Sequence, residues 1–521
     1  MLTHIHGAKC IGIDAVEVTV EIDIDRGIGI HLVGLADVAV KESLLRTVTA
    51  LQALGFHIPG KRIVINLAPA DLRKNGSGYD LPIAIGIIAA SEQRELPRAG
   101  RFILMGELGL DGSVRPVAGA LPFAEMARQA GYEGLILPEE SALEAVEFQE
   151  LEVYGVAGLG DVVRILEGQE NCQDLLVWNT SLYRRLHRNR AAKRRKDGID
   201  FADIIGQEGA KRGIEIACAG SHNVVMVGAP GSGKSSLAKA MADLLPPMTM
   251  QEALVTSKIY SVAGKGSPQD GLIRRRPFRA PHYSASLPAI IGGGGGEGIL
   301  PGEVSLANSG ILFLDEVGQM PKSVIEALRG PIEDRRVSIS RLKAKVEFPA
   351  SFMLVAASNP CPCGYWGEGD RCTCTPTQRN NYLAKLSGPI LDRIDLQLWL
   401  HSIPAERIIR ARKAEPSEAV AARVLRAREA QKERFAAEDI TTNSEMSLAQ
   451  IERYCPLSEA CRTTLEGLMT KMGFSMRAYH RIIRVARTIA DLEGVPDIAP
   501  AHLLEAASYR FLDRRNLYDV L

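Results

Sequence analysis

One octapeptide constrains this 521-residue chain more than any other feature. Gly228-Ala229-Pro230-Gly231-Ser232-Gly233-Lys234-Ser235 follows a short apolar stretch, His222–Val227, and precedes a helical pattern over Leu237–Leu245. A strand, a glycine-rich turn and a helix in that order are the context in which such a sequence works as a P-loop. Its glycines let backbone N–H groups approach phosphate oxygens, and the helix N-terminus adds partial positive charge. Lys234 is placed to reach the β- and γ-phosphates and the Ser235 hydroxyl to ligate magnesium, so ATP and Mg2+ are the expected cofactors.

A second apolar run, Gly310–Leu314, ends in the carboxylates Asp315 and Glu316. Beside a P-loop strand this is the place of a Walker B pair: Asp315 holds magnesium and Glu316 polarises the attacking water. An Asp-Glu pair also suits the cap of a following helix. A third apolar run, Ser351–Ala357, ends at Ser358-Asn359, where an amide can orient the same water, as sensor 1 does in AAA+ ATPases. Arg393, in Ser387–Asp395, and Arg477, at the start of a later helical pattern, resemble the arginine finger and sensor 2 of those enzymes. Ordinary helix-end salt bridges are the plainer reading of either arginine. If Arg393 is a finger it acts on a neighbour's site, which demands a ring.

With domains of one to two hundred residues the length suits about three of them. Charged residues make up 24% and hydrophobic ones 46%, and 62 Lys+Arg balance 62 Asp+Glu, so net charge points to no partner and any nucleic-acid contact must be local. Residues 1–180 alternate strand-like stretches (Val16–Ile22, Arg62–Leu67, Phe102–Met105) with helical ones (Val38–Leu54, Leu81–Ala90, Ala120–Ala130), an α/β pattern. Residues 181–198 are a basic linker with eight Arg and Lys between Arg184 and Lys196, which suits DNA or plain solvation. A second α/β unit covers 199–403, and 404–521 reads as a helical lid in which Val420, Val424 and Ala427 share one face. The run Gly292–Gly296 is expected to form a mobile loop, because glycine loses the most backbone freedom on ordering. Met1–Cys10 has no signal pattern and no apolar run reaches the ~20 residues a membrane helix needs, so a cytoplasmic protein is expected.

Four of the nine cysteines cluster, as Cys361-Pro-Cys363 and Cys372-Thr-Cys374. In a reducing compartment this suggests a metal rather than disulfides, and four thiolates match tetrahedral structural Zn2+. The C-x-C spacing is tighter than usual, and four reduced thiols are the alternative. From Asp334 to Phe348 the sequence reads as two strands joined by a basic turn. There Arg341, Lys343 and Lys345 suit sequence-independent phosphate tracking along DNA, or a solvated hairpin edge guarded by lysines.

The longest stretches, Arg276-Pro-Phe-Arg-Ala-Pro-His282, Pro301–Glu316, Asn359-Pro-Cys-Pro-Cys-Gly364 and Ser387–Arg393, resemble the ComM/YifB family of magnesium-chelatase-like AAA+ proteins over nearly the whole chain. Tyr283 departs from it where a second histidine is usual. The resemblance implies a homo-oligomer, expected as a hexamer, acting on single-stranded or branched DNA as a branch-migration helicase in natural transformation. The first unit is similar to the Lon-protease-like fold of the ribosomal S5 domain 2 type through Val33–Ala36, Asn75–Ala84 and Gly106–Gly112. The protease's serine slot falls on Tyr79 and its lysine slot on Leu121, and Ser77, the nearest hydroxyl, has no assigned base. A non-proteolytic module is therefore expected. The rival functions are a chelatase-type motor acting on a protein partner and an ATP-dependent unfoldase or protease.

Overall fold

A computed structural model describes residues 2–35, 37–185, 199–266, 271–294, 299–341, 344–384, 390–404, 406, 409 and 414–513. In the first α/β unit a mixed seven-stranded sheet runs in the order Gly29–Val33, Arg62–Ala68, Asp14–Asp25, Thr3–Ile11, Phe102–Leu104, Gly134–Pro138, Glu152–Val156. The strand Asp14–Asp25 pairs antiparallel with both neighbours, and the other pairs are parallel. Val18, Val20 and Ile22 are fully buried, the alternation a half-covered strand requires. The helix Asp80–Ala90 is apolar almost all round and correspondingly buried.

The second unit is built on a five-stranded parallel sheet ordered Phe278–Arg279, Ile311–Leu314, Met353–Ser358, Val224–Gly228, Leu396–Leu400. Ile311–Leu314, Met353–Ser358 and Val224–Gly228 are buried at every residue, which is why they read as unbroken apolar runs rather than alternating ones. Helices then follow at Ser417–Arg434, Leu448–Tyr454, Glu459–Met472, Met476–Glu493 and Pro500–Ser508. Val420, Val424 and Ala427 do share a buried face. Asp491, nearly inaccessible, accepts hydrogen bonds from Arg434 Nη1 (2.9 Å), Asn443 Nδ2 (2.8 Å) and Arg487 Nε (3.1 Å), tying three segments together.

The two α/β units meet along the helix Met250–Val262. Lys258 Nζ donates to Asp14 Oδ1 (2.6 Å) and Glu125 Oε2 (2.5 Å), and the Gly119 amide donates to the Ser261 carbonyl (3.1 Å).

One expectation changes. Gly292 and Gly293, which open the five-glycine run, are not loop: they pair antiparallel with Pro301 and Leu300. Glycine serves close approach here, since a Cβ on Gly292 would lie 2.7 Å from the Leu300 carbonyl oxygen. Gly295 and Gly296 lie outside the described residues. Of the basic linker, Arg184 and Arg185 sit exposed at the end of a short helical segment, and 186–198 lie outside the described residues.

Candidate nucleotide site

Three neighbouring parallel strands deliver the predicted site residues to one edge of the second sheet. Val224–Gly228 leads into the glycine-rich turn, Ile311–Leu314 into Asp315 and Glu316, and Met353–Ser358 into Asn359. Parallel strands place all three C-terminal ends together, the usual position of a ligand crevice in such sheets. The turn needs its glycines: Gly233 has φ +94°, and a Cβ on Gly228 would stand 2.5 Å from the Leu400 carbonyl oxygen.

Lys234 opens the helix Lys234–Leu244 and is only 9% exposed. Its ammonium donates to the carbonyls of Gly228 (2.7 Å) and Ala229 (2.9 Å) and to Asn359 Oδ1 (3.3 Å). Burial lowers its pKa, and the carboxylates of Asp315 and Glu316 pull it back. Ser235 Oγ donates to Asp315 Oδ2 at 2.9 Å, so the two oxygen ligands expected for Mg2+ already share one spot. Asp315 Oδ1 accepts from the Glu316 amide at 3.0 Å, and Glu316 sits at φ 49°, ψ 41°. A non-glycine residue in that left-handed region costs of order 1 kcal/mol, and such strain gathers where a side chain must be aimed.

The four cysteines form a cluster whose sulfurs all lie within 4.8 Å of one another. Cys361 and Cys363 are 3.3 Å apart, Cys361 and Cys372 3.8 Å, and Cys363 and Cys372 3.7 Å. Four sulfurs about 2.3 Å from a tetrahedral zinc stand about 3.8 Å from each other, so the donor set fits that ion. The cysteine loop also leans on the nucleotide turn, since a Cβ on Gly364 would lie 2.9 Å from Pro230 Cδ.

Arg393 and Arg477 are brought together, but away from Lys234. The Arg393 carbonyl accepts from Asn223 Nδ2 at 3.0 Å, and Asn223 immediately precedes the strand whose far end carries the glycine turn. Four residues of extended strand put about 13 Å between those two ends. Arg393 has a side chain only 4% exposed and pairs with Glu333, while Arg477 is 64% exposed and pairs with Asp392. Both line a cleft of about 420 Å³ with Arg335, Arg481 and Arg484. The sequence reading missed these last three. Arg477, Arg481 and Arg484 recur at a helical spacing of four and three, and that stripe was the available signal.

Comparison with known proteins fits this geometry. Residues 200–408 match the family model for the magnesium chelatase subunit ChlI, 20–141 a second ChlI model, and 414–510 its C-terminal model. Competence protein ComM of Haemophilus influenzae is 42% identical over 98% of both chains. The chain belongs to the ComM/YifB family of magnesium-chelatase-like AAA+ proteins. YifB of Escherichia coli, an uncharacterised protein, is 40% identical over 98% of both chains. An archaeal Lon protease of Methanothermobacter thermautotrophicus is 52% identical over a 56-residue segment, 11% of this chain.

In this ComM/YifB chain the hairpin Arg336–Arg341 and Ala344–Pro349 takes the expected two-strand form. Lys345 is exposed and its ammonium lies 3.6 Å from Glu347. Arg341 pairs through its backbone with Ala344, its side chain lies outside the description, and Lys343 lies outside the described residues. In the first unit Tyr79 and Leu121 are 2% and 1% exposed. The Ser77 hydroxyl donates to Glu107, and the nearby Lys74 ammonium donates to the Pro69 carbonyl. No helix among the described residues is long and apolar enough to cross a membrane.

Proposed function

We propose that the chain is a ring-forming ATPase that works as a DNA motor and drives branch migration of recombination intermediates. The observation that carries the ATPase half is the meeting of Lys234, Ser235, Asp315, Glu316 and Asn359 at one sheet edge. Lys234 neutralises the β- and γ-phosphates, Ser235 and Asp315 hold Mg2+, and Glu316 with Asn359 positions the water, the division of labour phosphoryl transfer needs. Magnesium supplies the remaining charge neutralisation when bound.

Support for a DNA substrate comes from the relative named as a competence protein and from the hairpin whose second strand carries the exposed Lys345 beside the turn. The ring, expected as a hexamer, is favoured because Arg393 and Arg477 occupy the end of the sheet remote from their own glycine turn, where they suit a neighbour's triphosphate. Arg393 then acts as the finger and Arg477 as its companion. The first unit is read as a Lon-like, ribosomal S5 domain 2-type module without peptidase chemistry, since Ser77 faces a carboxylate and apolar or aromatic residues stand in both protease slots. The C-terminal helices are read as the lid. A structural zinc on Cys361, Cys363, Cys372 and Cys374 would hold the loop after Asn359 against Pro230.

ATP hydrolysis measured with and without single-stranded and four-way junction DNA tests this reading. Stimulation by DNA in the native chain, absent in Lys234→Ala, is expected. Hydrolysis indifferent to DNA would move the substrate to a protein.

A further inference from the structure

The cleft around Arg393 carries an assignment beyond those roles. Its arginines are not idle: Arg335, Arg393, Arg477 and Arg481 each face a carboxylate of the same chain, and Arg484 donates to the Met446 carbonyl. Arg393 pairs with Glu333, Arg477 with Asp392, and Arg481 Nη1 donates to Asp395 Oδ1 at 2.6 Å. Asp395 is buried and also accepts from the Asn223 amide at 3.1 Å, so it belongs to the fixed frame. Glu333 differs. Its side chain is 57% exposed, whereas the Arg393 side chain it covers is 4% exposed. A guanidinium so enclosed cannot meet a phosphate on another molecule where it stands. Of the two partners, the exposed carboxylate is the one free to turn into solvent.

Glu333 also has a consequential position in the chain. It lies in the last turn of the short helix Arg329–Asp334, and the basic hairpin starts two residues beyond that helix, at Arg336. The connecting residue Arg335 is left-handed, with φ 54°, and pairs with Glu445 of the C-terminal helical part. A change at Glu333 therefore reaches the hairpin within three residues.

We propose that Glu333 is a placeholder anion: it occupies on Arg393 the position that the γ-phosphate of ATP on a second copy takes when a ring assembles. Exchange of carboxylate for phosphate switches the finger on and frees the helix that leads to the hairpin. Glu333 is thus a positioning residue, acting through Arg393, and it reports the neighbour's nucleotide state to the DNA-facing strands. The inference rests on the reading of Arg393 as a trans-acting finger.

The test compares native protein with Glu333→Gln, Glu333→Asp and Arg393→Ala, full-length, by ATP hydrolysis with and without single-stranded DNA and by ring assembly. Removing the competing charge in Glu333→Gln is expected to raise DNA-independent hydrolysis about fivefold, the factor supplied by a partly exposed ion pair at the upper end of its usual strength. The KM for ATP should fall and stimulation by DNA should shrink toward none. Glu333→Asp keeps the charge and should keep the native ratio, which a purely structural role for the glutamine-sensitive position would not require. Loss of activity in Arg393→Ala with an unchanged native-like profile in Glu333→Gln overturns the placeholder while leaving the finger. Full activity in Arg393→Ala overturns the finger reading itself.

Discussion

In the proposed function Glu316 and Lys234 bear the chemistry most directly. Glu316 is held in a left-handed backbone position beside Asp315, and its carboxylate is the group expected to polarise water. Glu316→Gln retains shape and loses the base, so hydrolysis should fall by roughly 10²–10⁴. ATP binding should be retained, checked by single-turnover hydrolysis alongside equilibrium nucleotide binding. Normal turnover in that variant would remove Glu316 from its role. That Lys234, Ser235, Asp315, Glu316 and Asn359 would meet was legible in the sequence, because the segments that carry them follow unbroken apolar strands, and parallel strands bring such ends together without help from distant packing. The pairing of Arg393 with Glu333 was not legible, because it joins positions 60 residues apart through a tertiary contact that has no local pattern.

At the scale of elements, two loops and one helix pair matter. The cysteine loop presses on the nucleotide turn through Gly364 and Pro230. Gly364 has φ +84°, and an added methyl meets Pro230 Cδ at 2.9 Å, whereas Gly369, at φ +63°, has open space around its Cβ position. Gly364→Ala and Gly369→Ala share the backbone strain, but only the first should weaken ATP binding, by about tenfold if overpacking costs its usual ~1–3 kcal/mol. Equal affinities in the two variants would separate the loop from the site. In the C-terminal helices, Asp491→Ala leaves Arg434 and Arg487 without their shared carboxylate. Stripping one partner from a buried ion pair costs roughly 3–5 kcal/mol. Amide exchange across Met476–Glu493 should accelerate accordingly, and unchanged protection would contradict the network's role. The three helical stretches expected in the first unit matched nearly residue for residue, Ala120–Ala130 included, while Leu159–Glu167 was not anticipated. Gly292 and Gly293 misled because composition speaks for freedom of the isolated chain and is silent about a partner strand that only glycine can approach.

At the scale of the whole molecule, Lys234 and Arg393 lie at opposite ends of the strand Val224–Gly228, and the proposed function makes them the two halves of a phosphoryl-transfer site shared between neighbours. If neighbours complete one another, mixing Lys234→Ala with Arg393→Ala should restore hydrolysis that neither variant shows alone, because some interfaces then join an intact glycine turn to an intact arginine. No recovery on mixing, with assembly verified, would place catalysis within one chain. The seating of the first unit on Met250–Val262 through Lys258, Asp14 and Glu125 was not legible, because it depends on residues far apart in sequence. Motor action on DNA is the central claim, and its most direct measurement is ATP-dependent movement of a four-way DNA junction by native protein and by Lys234→Ala at equal concentration. Movement by the native chain alone is expected; a junction left in place by native protein that hydrolyses ATP at a rate indifferent to DNA would contradict it.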